Sequence, residues 1–186
     1  MIFQLAAIRI VKYWEKRLDL FGPEKAFLPL TLDGALKDDL PSLKIGFIRV
    51  TCTSDDSNRG LLFVDPSRLP ESGTYDRKSM ARSTWYYLHA LLEDENVQKK
   101  GAVIIGYPRK AKFSQFDRKF AKMNMESIKG CIPIRVAGIH MCQPPTFFEI
   151  IFPIMKILMG ARLRKRVKVH SGSNEKILAK LEDKYG

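Results

Sequence analysis

Three histidines, three cysteines and a pair of adjacent aspartates are the residues of this 186-residue chain with the widest chemical repertoire. His89, His140 and His170 stand far apart, and Cys52, Cys131 and Cys142 do not alternate with them at zinc-site spacing. An odd, scattered cysteine count argues against a disulfide framework and suits a reducing compartment. Cys131 and Cys142 have no histidine at a recognisable spacing, so both read as small buried fillers rather than nucleophiles. The histidines lie in helix or strand patterns and read as packed, hydrogen-bonded groups. Asp55 and Asp56 sit in the polar string 54–60 and read as turn residues. The chain has no G-x-S-x-G elbow, no Walker loop and no G-x-G-x-x-G turn. The expectation is a protein without covalent chemistry: not an enzyme, with no metal and no cofactor.

What the sequence concentrates instead is apolar surface and positive charge. In residues 147–159 ten of thirteen side chains are apolar, the exceptions being Glu149, Pro153 and Lys156. At ~100° per residue these three and Gly160 fall in one sector roughly 60° wide. A helix lying on a sheet needs an apolar stripe only somewhat over ~100° wide. The surplus must meet more protein, a greasy ligand or lipid; a central core helix or a dimer interface would use it equally well. Pro153 removes a backbone donor and is expected to kink the helix, and a kinked, doubly apolar helix suits a moving lid. Just downstream stand Arg162, Arg164, Lys165, Arg166 and Lys168; counting Lys156, residues 156–169 hold six basic residues and no acid. At an anionic surface such residues contribute on the order of 1 kcal/mol each, and apolar insertion beside a polybasic patch is a two-signal membrane attachment. Singly, each could instead complement a helix C-terminus. A second basic stretch, 109–122, interleaves Phe113, Phe116 and Phe120; it fits headgroup or nucleic-acid contact, or the solvated face of an amphipathic helix.

The frame for these segments is one medium domain with a small helical appendage. At 45% hydrophobic and 28% charged the chain can bury a core and is not a disordered tail. A net charge of +12 favours an anionic partner. Residues 1–10 lack a basic n-region and Arg9 interrupts their apolar run, so no secretory leader is expected. No run approaches the ~18 apolar residues of a membrane-spanning helix. Periodicity gives helices over 4–20, 77–98, 114–129 (N-capped by Ser114), 147–159 and 174–183, and one or two short helices within 31–50. Short apolar strands are expected at 61–64, 102–105, 132–141 and 167–170. Alternation of this kind indicates an α/β fold, a largely parallel sheet covered by helices.

The run Cys131-Ile132-Pro133-Ile134-Arg135-Val136-Ala137-Gly138-Ile139-His140-Met141-Cys142-Gln143-Pro144-Pro145 follows a P-x-R-x-x-x-I-H-x-x-N-x-P pattern, with Gln143 at the Asn position. An aromatic-rich helix, Lys156, a basic segment and R-V-x-V-H at 166–170 follow, and W-Y-Y-L through V-Q-K-K-G-A-V-I-I at 85–105 precedes it. Over about residues 58–184 the chain resembles the CRAL-TRIO lipid-binding domain family of tocopherol, retinaldehyde and phosphatidylinositol carriers. The resemblance implies a non-enzymatic cage: a sheet floor with helices enclosing one non-covalently bound hydrophobic molecule or phospholipid, segment 147–159 being the gate. Its wall is expected from Phe116, Phe120, Met141, Phe147, Phe148, Ile151, Met155 and Leu158. Phosphoinositide or membrane contact is expected from Arg135, Arg162, Arg164, Lys165, Arg166 and Lys168. Two positions depart from the inositol carriers: Leu163 where a Thr stands and Ile134 where an acid stands, so phosphatidylinositol is left as either cargo or membrane contact. Residues 1–57 are expected to be a remnant of the helical segment and linker preceding the domain, 58–186 the domain, truncated at both ends. A cytoplasmic protein peripherally attached to anionic membranes follows, with a basic nucleic-acid-binding α/β module as the rival; nucleic acid is the less favoured partner because no recognised motif organises the cations.

Overall fold

The computed structural model describes residues 2–185, without the side chains of residues 2, 52 and 53; the reading of Cys52 therefore lies outside the described residues. In chain order the elements are α1 (Ile2–Phe21), α2 (Leu40–Ile45), β1 (Ile48–Ser54), β2 (Gly60–Val64), α3 (Arg77–Leu91), α4 (Glu95–Lys100), β3 (Ala102–Gly106), α5 (Arg118–Glu126), β4 (Val136–Cys142), α6 (Phe148–Arg164), β5 (Val167–His170) and α7 (Asn174–Tyr185). The five strands stand side by side in chain order. β1 and β2 form an antiparallel hairpin, and β2 to β5 run parallel. The fold is thus α/β with a largely parallel sheet.

Each parallel pair needs a crossover, and the helices supply it. α3 packs on α5 and α5 on α6, one helical layer, as a singly wound sheet with right-handed crossovers requires. Strand side chains alternate between faces. On β4, Met141 meets the layer of α5 and α6, whereas His140 turns to the other face and reaches Tyr185 of α7.

Four local readings change. β1 was not expected: its first three residues lie in the 31–50 segment assigned to helices, and its last in the string read as a turn. It is an edge strand with Ile48 buried, Val50 half-buried, and Arg49 and Thr51 exposed, so its pattern is half polar; the string 55–59 is the hairpin turn. The expected helix 77–98 is two, because the Asp94 carboxylate accepts the Asn96 N–H and starts α4 afresh. Ser114 lies in a short 3-10 turn, Phe113–Gln115, and α5 is capped by Asp117, whose carboxylate accepts the N–H groups of Lys119 and Phe120. The third strand begins at Val136, after a π-helical turn at Ser127–Cys131.

The core centres on Trp85 of α3, 0% exposed, whose indole N–H donates to Ser127 Oγ at 3.0 Å. Tyr13 and Phe21 of α1 pack their rings on Trp85 at 5.1 and 6.1 Å between centroids. The segment before the sheet is clamped by Asp39, also 0% exposed, which accepts two hydrogen bonds from Arg82 and one from Ser79.

Candidate functional site

α6 carries the site. Its backbone leaves helical dihedrals at Gly160 (φ 71, ψ 174), a region essentially reserved for glycine. Pro153, where a kink was expected, keeps helical dihedrals within α6, and the one residue of the helix that leaves them is Gly160. Ile151, Met159 and Leu163 are buried. On the far side Ile150 and Ile157 are 65% and 78% exposed, with Pro153 exposed between them. Phe148 and Phe152 stack at 5.0 Å, and the Lys156 ammonium lies 4.4 Å from the Phe152 ring centroid. The helix is therefore apolar on two opposed sides and covered on one.

Beneath the covered side is a cavity of about 220 Å³. Its floor is Val64 of β2 and Met141 of β4, with Phe47 beside them. α5 supplies Phe120, Ala121, Asn124 and Met125, the 108–117 connection supplies Pro108, Ala111 and Phe116, and α6 with the residue before it supplies Phe147, Phe148, Ile151 and Met155. Seven of the eight wall residues expected from sequence meet there; Leu158, one turn past Met155, does not line it. The polar residues at the wall are mostly committed. Burial alone would raise the Asp117 carboxyl, but the Phe120 N–H and the Arg77 guanidinium, 2.6 Å away, hold it below the usual carboxylate range. The volume of the cavity is less than the ~300 Å³ at which small-molecule pockets usually begin.

At the other end of α6, a cleft of about 390 Å³ gathers Arg9, Lys129, Arg135, Arg162 and Arg166 around Gly160 and Met159. No ion pair among the described residues involves any of these five cations. The Arg166 guanidinium donates to the Val136 carbonyl, fixing it across β4. Arg135, Arg162 and Arg166 of the expected contact set thus converge. Arg164, Lys165 and Lys168 are exposed and outside the cleft. Arg9 and Lys129 were not anticipated, since nothing in a sequence joins α1 to a residue within the π-helical turn. A separate groove of about 400 Å³ along Lys12, Lys16, Asp19 and Glu126 is internally neutralised, Lys16 lying 3.3 Å from Asp19 and 3.6 Å from Glu126.

The histidines turn out to be partners. His140 Nδ1 lies 2.7 Å from His170 Nε2, and His140 Nε2 lies 2.6 Å from the Tyr185 hydroxyl. Burial, with His170 second, pushes His140 down to about 4. His89 Nε2 is 3.0 Å from the Tyr13 hydroxyl, and its Nδ1 is 2.7 Å from the Trp85 carbonyl. Burial raises the Cys131 and Cys142 thiols, which weakens both as nucleophiles. Among the described residues no cluster of three or more His, Cys, Asp or Glu could hold a metal, and no helix is long and apolar enough to cross a membrane.

The sheet, the helix-walled apolar cavity and α6 over it can be set beside known proteins. The chain belongs to the CRAL/TRIO domain family, whose match covers residues 46–185 and so includes β1. It is 26% identical to Clavesin-2 of Rattus norvegicus over 175 residues, 92% of this chain and 50% of that protein. It is 29% identical to the alpha-tocopherol transfer protein-like protein of Mus musculus over 139 residues, 73% of this chain and 39% of that protein. The chain thus spans half or less of the length of these relatives. The crystal structure of Sfh5 shares the fold, with a TM-score of 0.59 at 12% identity, covering 83% of this chain and 57% of that one.

Proposed function

We propose that the chain binds one hydrophobic lipid-like molecule in the cavity under α6 and exchanges it at anionic, phosphoinositide-bearing membranes, without covalent chemistry. The observation that carries this reading is the two-sided character of α6. Ile151 and Met155 face the cavity, Ile150 and Ile157 face solvent, and the cationic cleft abuts the glycine break at its end. Apolar side chains that enter the acyl boundary, together with cations that meet phosphate, give reversible attachment. Insertion of Ile150 and Ile157 would draw α6 off the cavity by rotation about Gly160 and widen it to the size of a whole lipid. The membership of the CRAL/TRIO domain family and the name of the tocopherol transfer protein-like relative support a transfer role. Nucleic acid is the weaker partner, because the cations converge on a short cleft at one helix end and form no groove lined with stacked aromatics.

Flotation of the chain with phosphatidylcholine vesicles, with and without a few per cent of a phosphoinositide, tests the docking. The wild type should float chiefly with the phosphoinositide vesicles. A variant combining Arg9→Ala, Arg135→Ala and Arg162→Ala should lose most of that preference, and Ile150→Ser with Ile157→Ser should weaken binding to both. Arg166 is left in place because it also ties to Val136. Unchanged flotation of the triple-alanine variant would reject the cleft as the docking site.

A further inference from the structure

The two edges of the sheet differ. β1 pairs with β2 in a register that shifts between Val50 and Ser54, and an irregular edge of that kind discourages a further strand. β5 pairs with β4 without a break over Val167–His170, and among the described residues β4 is its only strand neighbour. The Ile139 N–H donates to the Arg166 carbonyl and the Gln143 N–H to the His170 carbonyl. Backbone groups alternate in direction along a parallel ladder. Arg166, Lys168 and His170 therefore turn theirs toward β4, and Val167 and Val169 turn theirs outward. Side chains alternate as well. Val169, paired with Met141, stands on the α5–α6 face and is 44% exposed, while Lys168, paired with His140, stands exposed on the α7 face. Arg164 and Lys165, also exposed, lead into the strand. None of these three cations forms an ion pair among the described residues. The chain has no acid between Glu149 and Glu175, and the cationic cleft uses none of the three.

We infer that the free edge of β5 is a docking surface for an extended acidic peptide, one in which acidic residues alternate with apolar ones, added to the five-stranded sheet as a further strand. The outward N–H and C=O groups of Val167 and Val169 supply main-chain pairing, and the side chains on the two faces set the selection. A peptide residue beside Val169 meets an apolar side chain; one beside Lys168 meets an ammonium. At ~3.3 Å per residue the edge is roughly 13 Å long, room for about four peptide residues. Charge chooses the occupant. An open edge is a template for a second copy, but two β5 edges would bring like cations together, which destabilises a strand pair. An acidic strand turns that repulsion into attraction. A headgroup layer would take the cations equally well yet would leave the outward backbone groups unused, and their regular order favours a peptide. The surface is independent of the cavity and of the cleft.

Fluorescence anisotropy of a labelled peptide of alternating valine and glutamate, with the full chain and no vesicles, tests the assignment. Two further versions of the peptide carry N-methyl groups on the amides of one strand edge or of the other. The wild type is expected to bind the parent and one methylated version, and to bind the other roughly tenfold more weakly, the size of one ordinary hydrogen bond. Equal binding of the two methylated versions would overturn strand addition. Val169→Pro removes an outward donor and spares the β4 ladder, as proline at a sheet edge does. It should lower affinity for the parent roughly tenfold, and unchanged affinity would overturn the edge. The methylated pair decides the question in the wild type even if this variant fails to fold. Lys165→Glu with Lys168→Glu should abolish binding of the parent; retention would overturn the acidic class. Absence of peptide binding to the wild type would overturn the proposal outright, and loss of flotation on phosphatidylserine vesicles in the charge-reversed variant would then assign these cations to a membrane.

Discussion

His140 is held between His170 and Tyr185 on the face of the sheet opposite the cavity, and this position makes the molecule sensitive to acid. Burial chiefly, and the neighbouring His170, bring its folded-state value to about 4, below the ordinary 6.5. The unfolded chain therefore takes up the proton first, and stability present above pH 6.5 is lost as pH falls toward 4. His89 and His170 are shifted in the same direction, each mainly by burial. Urea unfolding at pH 7 and pH 5, above the carboxylate range, should show a loss of about 2 kcal/mol, reduced in His140→Asn; a flat profile would contradict the arrangement. The sequence shows these histidines in strand patterns but not their partnership. His140 and His170 meet only because β4 and β5 pair in a register that sets Cys142 against His170 and His140 against Lys168.

α6 shows how far an element can be read before its neighbours are placed. The excess of apolar side chains over one packing stripe was visible at once, and the structure divides that excess between a cavity wall and an exposed ridge. The location of its joint was not visible. A proline within a helix suggests a kink from local chemistry, yet the backbone leaves helical dihedrals at Gly160, where a second helical stretch begins. Gly160→Ala places a Cβ in a backbone region that costs about 1–3 kcal/mol for other residues. The space around it is open, the nearest atom being Lys129 Cδ at 3.7 Å, so the penalty is backbone strain and not a clash. Denaturant unfolding of this variant should show that loss; a change below about 0.5 kcal/mol would mean that the joint relaxes freely. β1 went unread for the opposite reason: an edge strand buries one face, and its alternation with Arg49 and Thr51 is too short to stand out beside a helix ended by a left-handed Gly46.

At the scale of the whole molecule, the helical segment and the sheet layer act as one body because Asp39 and Arg82 join them. Asp39 has no exposure, and the Arg82 guanidinium spans both its oxygens and the Leu20 carbonyl. Asp39→Ala leaves that largely buried guanidinium with only the more exposed Asp76, 3.8 Å away, as counter-charge, a loss of about 3 kcal/mol. Thermal unfolding should show it; a variant within 1 kcal/mol of wild type would mean the clamp is dispensable. The α/β class and the parallel order were legible from alternating strands and helices, whereas the cationic cleft was only half legible, because Arg9 and Lys129 join it through tertiary packing alone. If the chamber under α6 takes a guest as proposed, it also bears on how long the protein survives. Wall atoms facing a void forgo dispersion contacts, and a guest that binds only the folded chain adds about 2.7 kcal/mol at a hundredfold its dissociation constant. Degradation samples the unfolded fraction. In a cell starved of its guest the chain would be cleared sooner, and its abundance would report the supply of what it carries.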